Sequence, residues 1–165
     1  MFELKPLSAS AVPQALAKAE RYRLLNEPEQ SESICEDVLR ADPDNQAARV
    51  MLILAITDTF PQSTHEAARA MEMVNGLPSE YDRCYYAGLI AERRARAVLP
   101  HAGMGGRTAG QWLHHAMAEY DKADALRPAG NDDARLRWNA CARVLNAHPE
   151  LSAVDDEPGA PIMLE

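Results

Sequence analysis

The sequence predicts an all-α protein, and three observations carry the prediction. Alanine and leucine are abundant while aromatic residues make up only 5% of the chain, a mixture suited to helices packed through small side chains rather than to strands rich in β-branched and aromatic residues. Apolar residues recur at helical spacing in seven stretches bounded by proline, glycine or Asp/Asn turns. Two of these stretches end on proline with one shared spacing: Ser31, Cys35, Val38, Pro43 and Ala116, Tyr120, Ala123, Pro128. In each, a small residue, a larger one and a further small or medium one lie on one helix face, and proline stops the chain before the next helix. With 165 residues and 47% apolar content, the chain can bury a core as one domain.

The first helix is expected over about 12–25, with Leu16, Ala19, Tyr22 and Arg23 at helical spacing. The second, about 29–41, closes at Asp42-Pro43-Asp44-Asn45, a turn that also caps the next start. The third, about 46–59, is apolar almost all round from Val50 to Ile56, as befits a helix covered on several sides in the middle of the fold. A Pro-Gln-Ser-Thr turn leads into the fourth, about 64–75, which ends at Gly76-Leu77-Pro78. The fifth runs over about 79–99 and the sixth over about 109–126, joined through the glycine-rich segment from Pro100 to Arg107. The seventh, about 132–146, places Ala134, Trp138, Cys141 and Leu145 on one face, which suits a terminal helix closing the core.

The two proline-terminated spacings resemble the second helix of a tetratricopeptide repeat. Ala19-x2-Tyr22 is similar to that family's Gly-x2-Tyr, and Gly88 stands where the family has a close-approach glycine, with Ala91 replacing the tyrosine three residues later. In the fourth helix Glu66, Ala70 and Met73 depart from the pattern, yet Pro43 to Pro78 spans 35 residues against a family period of about 34. Pro78 to Pro128 spans 50, an insertion of roughly 16. The resemblance covers about 12–146 and implies a right-handed helical-hairpin solenoid of about three repeats plus a C-terminal capping helix. The segments from Tyr81 to Arg96 and from Asn131 to Leu145 also look like those of uncharacterised bacterial tetratricopeptide-like proteins. The expected organisation is an N-terminal extension at 1–11, a helical domain at 12–148 with a glycine-rich insertion near 99–108, and an acidic disordered tail at 149–165.

A formal charge of −8 and a pI near 5.1 disfavour nucleic acid and anionic membranes as partners. An RNA-binding helical repeat would need a basic face over several repeats, which the first and third helices lack. The segment from Pro149 to Glu165 holds five acidic residues and no Lys or Arg, which leaves about −3 for the rest of the chain. Cys35, Cys84 and Cys141 form no C-x-x-C pair, and each reads as a small buried hydrophobe in a reducing compartment. No secretory signal is visible, the longest apolar run is too short to span a bilayer, and a soluble cytoplasmic protein is expected. Adjacent imidazoles at His114 and His115 diverge by about 100° on a helix, unsuited to a shared metal. Gly103 to Gly106 precedes no Gly-Lys-Ser/Thr, so it reads as an inter-helix connection. Neither cofactor, metal nor catalytic activity is expected, since no acid/base pair or nucleophile constellation converges.

In a solenoid the first helix of each hairpin lines the concave face, and residues at i, i+4, i+8 and i+11 share a helix side. On the fifth helix this selects Tyr85, Leu89, Arg93 and Arg96; on the seventh it selects Arg135, Asn139, Arg143 and Asn146. Arginine forks match carboxylates and asparagine can bond a peptide backbone. Arg135 with Asn139 is similar to half of the carboxylate clamp of chaperone-binding tetratricopeptide domains, although Leu16 and Glu20 stand at the matching places of the first repeat. The expected function is a non-enzymatic adaptor that binds an acidic peptide or protein segment through Tyr85, Leu89, Arg93, Arg96, Arg135, Asn139 and Arg143. The alternative is a structural subunit assembling through its outer face or insertion, with Met104 and Trp112 exposed; a homodimer formed that way would leave the same repeat pattern. The tail, acidic at Asp155-Asp156-Glu157 and apolar at Pro161 to Leu164, is a candidate occupant of the arginine groove in the free protein.

Overall fold

A computed structural model describes residues 2–60, 66–99 and 106–151. Among them the chain forms seven α-helices: α1 (Val12–Leu24), α2 (Pro28–Ala41), α3 (Gln46–Asp58), α4 (Ala67–Asn75), α5 (Glu80–Val98), α6 (Gly106–Leu126) and α7 (Asp133–Ala147). Single 3-10 turns at Ala9–Ala11 and Pro149–Leu151 flank them, and the described residues contain no strand.

Local chemistry sets the boundaries. Proline opens the first turns of α1 and α2, where its missing N–H costs nothing. The Asn45 side chain accepts from the Ala48 amide at 2.9 Å, and Ser79 Oγ accepts from the Asp82 amide at 3.1 Å, capping α3 and α5. Asn26 adopts a left-handed φ of 61° between α1 and α2, and Gly130 a φ of 83° ahead of α7.

Each helix packs on the next in chain order, and α1 also meets α3 and α3 meets α5. The core lies in two main halves. Ala19, Cys35, Leu52, Ile53, Ile56, Phe60, Val74 and Ile90 fill one; Ala91, Leu113, Ala116, Tyr120, Cys141 and Leu145 fill the other. Consecutive residues Ile90 and Ala91 belong to different halves, so α5 is the wall between them. As expected, α3 is enclosed, with Leu52, Ile53, Ala55, Ile56 and Thr57 all buried.

At two places the chain departs from the expected organisation. Helix α6 starts at Gly106, inside the glycine-rich segment, and Gly106 and Gly110 leave its N-terminal flank bare for the C-terminal turn to lie against it. Leu151, expected in a disordered tail, is 5% exposed and packs there. A Cβ at Gly110 would stand 1.8 Å from the Leu151 carbonyl oxygen, so only glycine admits this contact. The folded body thus extends through Leu151. The remainder of the expected tail, residues 100–105 with Met104, and the expected start of the fourth helix at 64 lie outside the described residues.

Candidate functional site

The odd-numbered helices carry a ribbon of opposite charges. On α3, Asp58 accepts from Arg23 Nε of α1 at 2.7 Å and from Arg93 of α5. Arg93 also donates to Thr57 Oγ1 at 2.6 Å and to the Leu54 carbonyl at 3.1 Å. The residue before it in α5, Glu92, is 1% exposed and continues the ribbon. Its carboxylate accepts from Tyr120 Oη of α6 at 2.8 Å, pairs with Arg96 at 2.7 Å and with Arg137 of α7 at 3.3 Å.

The electrostatics follow from this enclosure. Burial lowers the Arg93 pKa despite the favourable charge of Asp58, with Arg23 acting in the same direction as burial. Burial also works against Arg137, but Glu92 and the Tyr85 hydroxyl more than offset it and leave its pKa raised. Burial foremost, then Glu92, pushes the Tyr120 phenol far above its ordinary range. Four arginines, Arg23, Arg93, Arg96 and Arg137, therefore face two carboxylates, Asp58 and Glu92, which leaves two positive charges in excess on a chain of net charge −8.

The seven residues selected from the sequence fall into four environments. Tyr85, Arg93 and Arg96 adjoin the ribbon: Tyr85 stacks on Tyr81 at 5.8 Å and lies 5.9 Å from the Tyr120 ring, while Arg93 and Arg96 are ribbon members. Leu89, on the same stripe, is 1% exposed and is a core residue, because the stripe runs inward as α5 becomes the internal wall. Arg135 and Asn139 line a cleft of about 290 Å³ with Trp138 and Asp124, and Arg135 Nε bonds Asp124 of α6 at 2.7 Å. Arg143 lines a separate depression with Leu99, Val144 and Leu151 and forms no ion pair with a described residue. Arg135 thus pairs with Asp124 of α6 and with Asp132, not with a carboxylate of the ribbon.

Sequence reasoning missed Asp58, Glu92 and Arg137. For Glu92 there was a signal: it follows Leu89-Ile90-Ala91 directly and sits four residues before Arg96, the spacing of a helical ion pair. Nothing local marks Asp58 or Arg137.

The cysteine chemistry is quiet. Cys35 is pushed up to about 11 and Cys141 to about 12, burial being the main cause in both, and burial also raises Cys84. Thiols held protonated are poor nucleophiles. His148 lies 3.0 Å from Glu150, and His115 meets the Trp112 ring edge-on at 5.9 Å. Among the described residues no three His, Cys, Asp or Glu side chains group to hold a metal, and no helix is long and apolar enough to cross a membrane. Trp112, whose exposure would favour assembly through the insertion, is half-buried beneath the Arg94 guanidinium.

No protein-family model, no curated protein and no solved structure matches this chain.

Proposed function

We propose that the chain is a tetratricopeptide-like adaptor, a right-handed solenoid of about three helical hairpins with α7 as the cap, which captures an acidic segment of a partner protein and performs no chemistry. The single observation that carries the partner's chemistry is the excess of two positive charges on the ribbon across α1, α3, α5 and α7. Arg96, with 57% of its side chain exposed, and Arg137, with 36%, are the members open to an incoming carboxylate. Arginine presents five donors, so one carboxylate partner leaves capacity for a second. The repeat reading is supported by the contacts of α1 with α3 and α3 with α5, and by the close approach of Gly88 and Tyr120. A groove already held by internal ion pairs loses little freedom when a ligand arrives.

The test is capture from native lysate by the intact protein and by an Arg96→Gln/Arg137→Gln variant of unchanged helicity, with bound segments identified by crosslinking. A partner crosslinked to α5 and α7, lost in the variant and in high salt, supports the reading. A partner retained equally by the variant overturns it.

A second reading, a structural subunit, is favoured by Leu24 and Leu25, which are 82% and 60% exposed at the end of α1. Sedimentation that shifts with concentration, and stops shifting in Leu24→Lys/Leu25→Lys, would support self-assembly there.

A further inference from the structure

On the even-numbered side, neighbouring helices are bridged in two different ways. Between α2 and α4, Arg69 pairs with three carboxylates: Glu32, Glu36 at 2.8 Å and Glu66 at 3.2 Å. Between α4 and α6 stands Arg94 of α5, half-buried, without a hydrogen bond or ion pair to any described residue. Its guanidinium lies 3.7 Å from the centre of the Trp112 ring, and burial lowers its pKa with no opposing cause. Beside it runs an open groove of about 520 Å³ floored by Ala67, Ala68, Met71, Ile90 and Ala91. A guanidinium taken out of water wants an anion, and an arginine fixed on a ring holds its fork ready for a carboxylate. The groove therefore fits a short apolar segment bearing an acid.

This chain carries such a segment. Ile162-Met163-Leu164 is followed by Glu165, and residues 152–165 contain four acidic and no basic residues. We infer that Ile162–Glu165 docks in the groove between α4 and α6 of its own chain, with the Glu165 side chain paired to Arg94 and the three apolar side chains on the alanine and methionine floor. The connection is long enough. Leu151 is anchored against Gly110 of α6, and Trp112 is two residues further along the same helix. Half the circumference of a helix is about 17 Å, whereas the eleven residues from Leu151 to Ile162 reach about 36 Å. Arg93 competes poorly because Asp58, Thr57 Oγ1 and the Leu54 carbonyl already occupy it.

The experiment is backbone NMR on the full chain at several concentrations, reading heteronuclear NOEs of Ile162 to Leu164 and the Trp112 indole resonance. The expected result is NOEs near those of the helices at every concentration. Leu164→Asp, which alters none of the described residues, and Arg94→Gln should each drop them to values of a free chain end and shift the Trp112 signal. NOEs already at free-chain values in the unaltered protein would overturn the contact. So would release of the segment by Arg96→Gln or Arg143→Gln with Arg94→Gln inert, which places it elsewhere. Ordering that grows with concentration would assign the segment to a second copy, and likewise overturn docking within one chain.

Discussion

The Tyr120 ring lies against Gly88 so closely that a β-carbon at position 88 would come 2.7 Å from Tyr120 Cε1. Tyr120 is fully buried, and its hydroxyl is held by Glu92 at 2.8 Å, so the ring is restrained at both ends. A Gly88→Ala change would normally favour a helix by about 1 kcal/mol. Here overpacking outweighs that gain, and a net loss of about 1–2 kcal/mol is expected. Urea unfolding checks this, and a midpoint equal to or above that of the unaltered protein would show that the ring can give way.

Gly110→Ala should act locally. The new methyl displaces the Leu151 backbone, so the Pro149–Leu151 turn leaves α6 while the seven helices persist. Loss of the buried leucine costs about 1–3 kcal/mol. Hydrogen exchange of Leu151, whose amide bonds the His148 carbonyl at 3.0 Å, should accelerate with far-UV circular dichroism unchanged.

Glu92→Gln should be costly, because Arg137 and Tyr120 were arranged around a full negative charge. Removing one partner of a buried pair destabilises by about 3–5 kcal/mol. The conservative amide keeps one acceptor, so the lower end is expected. Arg96→Gln, at the exposed rim of the same cluster, should cost under about 1 kcal/mol. Equal losses from the two variants would mean that Glu92 is not the hub.

Stability should fall with alkali. Burial raises Cys35 from 9.0 to about 11, Cys141 from 9.0 to about 12 and Tyr86 from 10.0 to about 12. Each folded-state pKa lies above its unfolded value, so the folded chain holds these protons more tightly. Their contribution is complete below pH 9 and is lost as pH rises from 9 to 12. Each proton contributes a slope of at most about 1.4 kcal/mol per pH unit. Urea midpoints should be level from pH 7 to 8 and decline above about 9, with a shallower decline in Cys141→Ala.

Thiol labelling should discriminate among the three cysteines. Cys35 and Cys141 are buried and Cys84 is half-buried, so a thiol reagent should modify Cys84 first in the native protein and all three after unfolding. Mass spectrometry of a brief labelling reaction reads the order, and early modification of Cys35 would reveal local opening of α2.

The helices were legible because their causes are local. Proline and glycine stops, the Asn45 and Ser79 caps and the apolar period each act within one or two turns, and the observed boundaries differ from the expected ones by about three residues at most where both ends are described. Gly88 was legible for a related reason: a lone glycine in an apolar helix marks a close neighbour. The charged face was not. Whether Arg93 meets Asp58 or solvent depends on the rotation of α5 against α3, and whether Arg135 bonds Asp124 depends on how α7 lies on α6; periodicity fixes neither angle. Leu151 was hidden by its proline-containing acidic surroundings, although the glycine that receives it stands 41 positions earlier in a helix that otherwise reads as ordinary.

Packing in chain order has a consequence for synthesis. Because each helix rests on the one just before it, the molecule can assemble from its N-terminus as it emerges from the ribosome, every new helix finding its seat already built. The clasp of Leu151 on Gly110 is the exception, since it must wait for α7 and then reach back past it. That late closure locks the final hairpin from outside, and a chain stalled before it would carry its last helices on an unfastened edge.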